Sequence, residues 1–402
     1  MGAWGLGLGL GSGAIALATV FANGLFYSRF RKSLQAAPRL ADQAPASTPT
    51  TVSVIIPAYN EALNLKSCVE AVLASTLPRQ ITLQLIIADD ESTDDTAAIA
   101  ASLAQSDPRV TAFTVPPRPT DIPWRGKNWA CAQAVERAEG DYWLFIDADV
   151  RLRADAIATG LANAQTRGAG LLSCAPGIRC GCLAEWLVQP IMMALIAVGA
   201  DFPGINDPNA VERAFAAGPF MLFRRDAYQA IGGHRGVATN PVEDVGLAKA
   251  IKQAGLTLRY VLGEGRVQVR MYPNFASLWE GWTKNFYMGM GRDLGLTLYV
   301  AFAMLLVFST PWLALLALPG AVIWPSYGLI GTALMLVIGL GIHLKLRWAM
   351  VDQLQLPSRY LGLGWLGGLV VVAIAIASII KTETGWGWTW RGRSLAAGSS
   401  HP

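Results

Sequence analysis

Carboxylates recur at the ends of apolar runs in this chain, spaced as groups that could hold a cation and a polyphosphate. Tyr142 to Ile146, all apolar or aromatic, runs directly into Asp147 and Asp149, one residue apart. A short run of aromatic and β-branched residues reads as a strand buried on both faces. Where such a strand ends the chain leaves the sheet, in the crevice where open α/β sheets bind ligands. Two acids this close repel each other unless a cation lies between them, and their hard oxygens suit Mg²⁺ or Mn²⁺. An isolated Asp-x-Asp more often borders a turn or caps the next helix, so the neighbouring motifs decide.

Three of them point the same way. Pro57-Ala-Tyr-Asn-Glu61 ends the first apolar run and places Tyr59 and Glu61 at the sheet's carboxyl edge, where a flat ring packs on a base or merely covers the edge. Leu85-Ile-Ile-Ala-Asp-Asp90 ends in acids again, ahead of Glu91-Ser-Thr-Asp-Asp-Thr96. Ser92 or Thr93 is expected to cap the following helix, with acids in its first turn suiting the dipole. Asp89 and Asp90 fall at the strand tip, where a carboxylate can accept from a base N–H or a ribose hydroxyl. Trp124-Arg-Gly-Lys127 precedes a helix, and Arg125 and Lys127 beside a helix N-terminus form a candidate diphosphate clamp. Farther on, Glu243 and Asp244 open a helix, where an acid either satisfies the dipole or serves as general base. Neither G-x-G-x-x-G after the first strand nor G-x-x-x-x-G-K occurs, which excludes a dinucleotide fold and a P-loop. A nucleoside diphosphate with a metal accounts for the acid-tipped strands and the basic loop together.

The elements that must position these residues alternate. Strands are expected at Val52–Ile56, Leu83–Ala88, Val110–Val115 and Tyr142–Ile146, and helices at Leu63–Leu73, Thr96–Leu103 and Asn128–Ala138. This alternation implies a mainly parallel sheet covered on both faces, an α/β, Rossmann-like domain over residues 51–274.

The rest of the chain is greasier than a soluble enzyme. Apolar residues make up 53% and charged residues 15% of 402, and the mean hydropathy is +0.37. An N-terminal anchor over residues 1–32 (span about 4–26) precedes Arg29, Arg31 and Lys32, which places the following residues in the cytoplasm. Residues 33–50, with Pro38, Pro45 and Pro49, read as a linker. Leu294 to Ile342 carries no charged residue or histidine and suits two spans, broken near Pro319 or Pro325; Leu361 to Ile380 makes a third. About three spans are thus expected over 294–380, with a basic loop of Lys345, Arg347 and Arg359 between them and a tail at 381–402. Phe275 to Met290, with Trp279, Trp282, Phe286 and Tyr287, suits an interfacial helix (275–293), and Leu183–Ala200 a buried or interfacial one. Five cysteines without paired spacing argue for a reducing compartment, and three histidines argue against a histidine-ligated zinc enzyme.

In their order, P-A-Y-N-E, D-D-E-S-T-D-D-T, W-R-G-K, D-A-D, G-P-F-M-L-F-R-R, I-G-G-H and E-D-V-G-L resemble the family-2 glycosyltransferases of GT-A fold. The likeness is to their membrane-anchored branch, the ceramide glucosyltransferases and the hopanoid-associated and carotenoid glycosyltransferases, over about residues 52–290. It implies that Asp90, with Pro57, Tyr59 and Glu61 nearby, holds the nucleoside of a UDP- or GDP-sugar, and that Lys127 and Asp147 meet the diphosphate. It further implies that Asp149, with Asp147 beside it, ligates Mg²⁺ or Mn²⁺, and that Asp244 is the base of an inverting displacement. Gly218 to Arg225, His234 and Glu243 fall on the acceptor side. After the base, processive and ceramide-type members carry Gln/Arg-x-x-Arg-Trp; here Trp279-Glu-Gly-Trp-Thr-Lys-Asn285 stands instead. Trp282 and Lys284 are the candidate substitutes, and the departure argues against polymer synthesis.

The expectation is an integral membrane protein, catalytic domain on the cytoplasmic face, that adds one sugar to a hydroxyl of a hydrophobic acceptor in or beside membrane lipid. A carotenoid or isoprenoid alcohol ranks first, ceramide- or diacylglycerol-type lipids next. A polysaccharide synthase or undecaprenyl-phosphate sugar transferase is the enzymatic alternative, and a degenerate transferase scaffold the non-enzymatic one. No nucleic-acid partner is expected.

Overall fold

Strand β1 (Thr50–Ala58) is the hinge of the topology. The computed structural model describes residues 3–41, 49–240, 242–263, 265–354, 358–386, 389–390 and 393–394. Following β1 come β2 (Ile81–Asp89), β3 (Val110–Thr114), β4 (Tyr142–Phe145), β5 (Val150–Leu152) and β6 (Leu171–Ala175). Next come β7 (Gly177–Ile178), β8 (Met221–Arg224), β9 (Leu258–Leu262) and β10 (Val267–Val269), and far along the chain the two-residue strands Thr389–Trp390 and Arg393–Ser394 pair with each other. Seven of them form one sheet in the order β3-β2-β1-β4-β8-β6-β9. All pairs are parallel except those of β8, which runs antiparallel to both β4 and β6. The expected mainly parallel α/β sheet is therefore present. A small sheet, β5-β10-β7, lies beyond the end of β4 in sequence.

From β1 the chain steps outward through β2 and β3, then returns to place β4 on the other side of β1. The connection order reverses there, and open α/β sheets bind ligands at the carboxyl ends flanking such a point. Register keeps the ends of β1 and β2 level, Ala58 pairing with Asp89, whereas β4 stops earlier, with its last residue Phe145 opposite Ile55. Leu85, Ile86 and Ile87 are consecutive and fully buried. Since neighbouring side chains point to opposite faces, both faces of the sheet are covered. Each such residue contributes about 1.5–3 kcal/mol of burial free energy. Gly140 allows β4 to start hard against β1: a Cβ there would stand 2.6 Å from the Ser53 nitrogen. Its amide donates to Ser53 Oγ (2.9 Å), and Thr51 N–H donates to the Asp141 carboxylate (2.8 Å).

Several boundaries differ from expectation. The helix expected from Leu63 begins at Leu65, leaving Leu63 exposed, and the one expected from Asn128 begins at Gly126. The linker is partly structured: Arg39 bridges to Leu262, and the Leu40 amide donates to the Leu262 carbonyl, so the segment extends the sheet at β9. Pro45 lies outside the described residues. The expected domain 51–274 is also interrupted. One unit comprises Ala36–Arg179 and Asp201–Arg270, whereas Cys180–Ala200 belongs with Met1–Gln35 and Met271–Pro402 in a second, helical unit. Composition explains it, since Leu183–Gly199 is a 17-residue helix with few polar groups.

Among the described residues of the helical unit, three helices are long and apolar enough to cross a membrane: Leu294–Ile323, Tyr327–Gln353 and Tyr360–Thr384. Pro319 lies inside a helix, Ala314–Ile323, and the chain breaks at Trp324 to Ser326, around Pro325, the other position expected. Lys345 and Arg347 are not in a loop; the helix Tyr327–Gln353 runs through both, and Arg347 is buried. The N-terminal segment is one helix, Ala3–Ala36, longer than the span expected there. The helix Phe275–Gly289 opens with a capping box between Asn274 and Ser277. Trp282, Phe286 and Tyr287 are buried within this unit, so much of the aromatic face expected at a membrane surface packs inward. Trp282 donates to Gln189 Oε1 (2.7 Å), and the Tyr287 amide to Ser378 Oγ (2.9 Å).

Candidate active site

The two loops at the carboxyl ends of β1 and β2 are clasped together. Asn60, held at a positive φ of 53°, accepts from the Thr93 amide (2.8 Å), and its own amide donates to Ser92 Oγ (3.0 Å). The Glu61 amide donates to Thr96 Oγ1 (2.8 Å), and the Ala62 amide to the Asp94 carboxylate (3.2 Å). This corrects the expected caps. The helix starts only at Thr96, with Asp95 at its N-cap, so Ser92 and Thr93 lie too far upstream and bind the neighbouring loop instead. Pro57, Tyr59 and Glu61 stand half-exposed along this edge, and Asp90, buried, is fixed by its amide donating to the Ala58 carbonyl (2.8 Å).

Beside them, three elements converge on one ammonium group. Lys127, in the first turn of the helix Gly126–Ala134, puts Nζ 2.6 Å from Asp147 Oδ1 and 2.8 Å from Glu243 Oε1. Asp147 follows β4, and Glu243 opens the helix Glu243–Gln253. Burial opposes the charge on Lys127, but the carboxylates of Asp147 and Glu243 outweigh it and hold the group well above its ordinary value. Asp244, the next residue, accepts the Gly218 amide at Oδ2 (3.0 Å) and its neighbour Val245's amide at Oδ1 (2.8 Å). Burial, then the adjacent Glu243 charge, pushes its carboxyl up to about 7, with Lys127 pulling the other way. A carboxyl poised there can take a proton near neutrality.

Pro57, Lys127, Asp147, Gly218, His234 and Glu243 line a common recess. Gly218 is the tight point: a Cβ on it would lie 3.1 Å from Lys127 Nζ and 3.6 Å from both Asp147 Oδ2 and Asp244 Oδ2. His234 is buried, its amide donating to the Tyr228 hydroxyl (2.9 Å), which also lies 2.7 Å from Nδ1. Burial, then the nearby Lys127 charge, drives its imidazole down to about 3, so it is neutral at physiological pH.

Asp147 and Asp149 lie on the turn between β4 and β5, whose backbone is held by the Arg270 amide donating to the Asp149 carbonyl (3.2 Å). Among the described residues no three His, Cys, Asp or Glu side chains converge as a cation cage. Two hard carboxylates on one turn nevertheless fit an ion whose shell is completed by phosphate oxygens and water, as Mg²⁺ prefers.

The sheet unit thus gathers Pro57, Tyr59, Glu61, Asp90, Lys127, Asp147, Asp149, His234, Glu243 and Asp244. Trp282 and Lys284 belong to the helical unit. Sequence reasoning did not foresee Glu243 as a partner of Lys127, nor the Gly218 amide on Asp244. Two adjacent acids opening a helix were the available signal, since one of them needs a cation.

Residues 53–232 match the profile described as Glycosyl transferase family 2. The chain is similar to the 4,4'-diaponeurosporenoate glycosyltransferase of Staphylococcus aureus (strain USA300), 33% identical over 60% of this chain and 62% of that one. The form from strain MRSA252 is 32% identical over the same shares. The chain therefore spans less than two thirds of the length of these relatives. In structure it is similar to a mannosyltransferase from Pyrobaculum calidifontis, solved with GDP-Man and Mn²⁺. The TM-score is 0.53 at 20% identity, covering 93% of this chain and 99% of that one.

Proposed function

We propose that the chain transfers one sugar from a UDP- or GDP-sugar to a hydrophobic acceptor at a membrane, a reading supported by the match of residues 53–232 to the Glycosyl transferase family 2 profile and by the GT-A fold. The observation that carries this reading is the arrangement around Lys127: one cation between Asp147 and Glu243, with the raised carboxyl of Asp244 adjacent. Asp90 and Tyr59 border the nucleoside, and Lys127 meets the diphosphate. Asp149, with Asp147, holds Mg²⁺ or Mn²⁺, which supplies positive charge for the leaving diphosphate. Asp244 takes the proton of the attacking hydroxyl in a single inverting displacement. The Mn²⁺ and GDP-Man bound by the archaeal mannosyltransferase support the donor class and the metal.

For the acceptor we favour a carotenoid or other isoprenoid alcohol, supported by the staphylococcal relative. Three apolar helices support membrane residence, with the catalytic unit on the cytoplasmic face. A second reading rests on that relative's name, which is that of a polyene carboxylate. An attacking carboxylate has no proton to lose and no need of a base. The test supplies membranes containing the chain with labelled UDP- and GDP-sugars and either a polyene alcohol or a polyene acid. Label in the extracted alcohol, lost in Asp244→Asn, supports the first reading. Label in the acid that survives Asp244→Asn supports the second, and label in neither lipid with any donor overturns both.

A further inference from the structure

The helical unit buries a cationic residue without the partners such a residue needs. Arg347, in the helix Tyr327–Gln353, is 5% exposed, and its Nε and Nη1 have no hydrogen-bond partner among the described residues. One turn earlier His343 is fully buried, packed edge-on by Phe308 (5.7 Å) and Trp312 (6.0 Å). The two side chains face a shared gap at Gly364: a Cβ there would stand 3.3 Å from His343 Nε2 and 3.7 Å from Arg347 Nε. Arg347 also lines a narrow pocket with Trp186, Pro190, Met350, Tyr360 and Leu361. The nearest carboxylate along its own helix, Asp352, is exposed and accepts from Gln353. Guanidinium is charged at every accessible pH, so burying it with donors unmet is costly unless an anion completes the site.

We propose that this pocket binds the anionic head group, carboxylate or phosphate, of an amphiphile with an apolar tail. Arg347 supplies the charge and a planar fork matched to two oxygens, while Trp186, Met350 and Leu361 offer apolar walls. The inference rests on the helical unit alone and holds whichever acceptor the sheet unit serves. Two sources share this chemistry: a polyene or fatty acid, and an anionic phospholipid of the bilayer.

The test uses the full chain in phosphatidylcholine nanodiscs with parinaric acid, a fluorescent polyene carboxylate, and its methyl ester as the uncharged control. The acid should bind at least about tenfold tighter than the ester, as expected of one charge-assisted contact. Arg347→Met should abolish that preference while leaving the melting temperature unchanged or raised, since it removes an unmet buried charge. Gly364→Ala, which keeps the charge and fills the gap, should weaken the acid severalfold. Displacement of the acid by phosphatidylglycerol assigns the site to a bilayer phospholipid; resistance to displacement assigns it to a carboxylate amphiphile. Equal binding of acid and ester by the unaltered chain, or an undiminished preference in Arg347→Met, overturns the proposal. So does a lowered melting temperature in Arg347→Met without lost preference, which marks a structural arginine.

Discussion

The backbone amide of Gly218 donates to Asp244 Oδ2 at 3.0 Å, and the missing side chain of the same glycine leaves the space in which Lys127 meets Asp147. One residue thus orients the candidate base and keeps the cation seated. Gly218→Ala should fold, because position 218 is not among those with a positive φ, but its methyl group must displace the lysine head. We expect transfer to fall by about tenfold or more through misplacement of the reacting groups, with a raised KM for the nucleotide-sugar. Steady-state kinetics beside a melting curve checks both.

Asp244→Asn should lower transfer to a hydroxyl by about 10²–10⁴-fold, the usual contribution of a general base. In the unaltered chain the rate should climb as pH rises through about 7, where Asp244 loses its proton. Stability should move the opposite way. With a folded value above that of the unfolded chain, the native state holds the extra proton between the two values. The contribution is complete below the unfolded value and is lost as pH rises through about 7. Denaturant titrations at pH 5 and 8 should show Asp244→Asn gaining stability relative to the unaltered chain at the higher pH.

Lys127→Ala leaves Asp147 and Glu243 facing each other without their shared cation. We expect a stability loss of about 1–2 kcal/mol, toward the low end for such a group because the lysine side chain is 35% exposed. The donor KM should rise as well. Lys127→Arg should recover much of the stability but less of the affinity, since a planar fork does not replace a point charge in this recess.

Chelation should stop transfer, and Mg²⁺ or Mn²⁺ should restore it. Asp149→Ala should abolish the recovery at any metal concentration, whereas Asp147→Asn should shift the metal requirement upward. Titrating the metal against initial rate in each variant separates them, and metal-independent activity in Asp149→Ala sinks the assignment.

Much of the sheet was legible because each strand carries its own signal: Leu85 to Ala88 and Tyr142 to Ile146 are apolar runs that stop at acids. The edge where those acids gather was legible for the same reason. Long-range partners were not. Nothing local marks Ser92 and Thr93 as holding Asn60, or Arg39 and Leu40 as lying beside Leu262. Lys345 and Arg347 read as a loop because charge is usually solvated, yet the helix carries Arg347 into the interior. Leu183–Ala200 reads as a buried or interfacial helix, but nothing local shows that it leaves the domain on either side of it, because an apolar helix between two strands looks like any other crossover.

That excursion sets an order of assembly. Strands β6 and β8 are neighbours, but the chain makes β6, then the helix Leu183–Gly199, and only later Met221–Arg224. During synthesis the left part of the sheet must wait with β4 unpaired on one side until that helix has left the ribosome and found its own surroundings. Under the proposed membrane residence, settling of the helical unit and completion of the sheet are one biosynthetic event, and no contiguous stretch of the chain can be cut out to give the sheet unit alone.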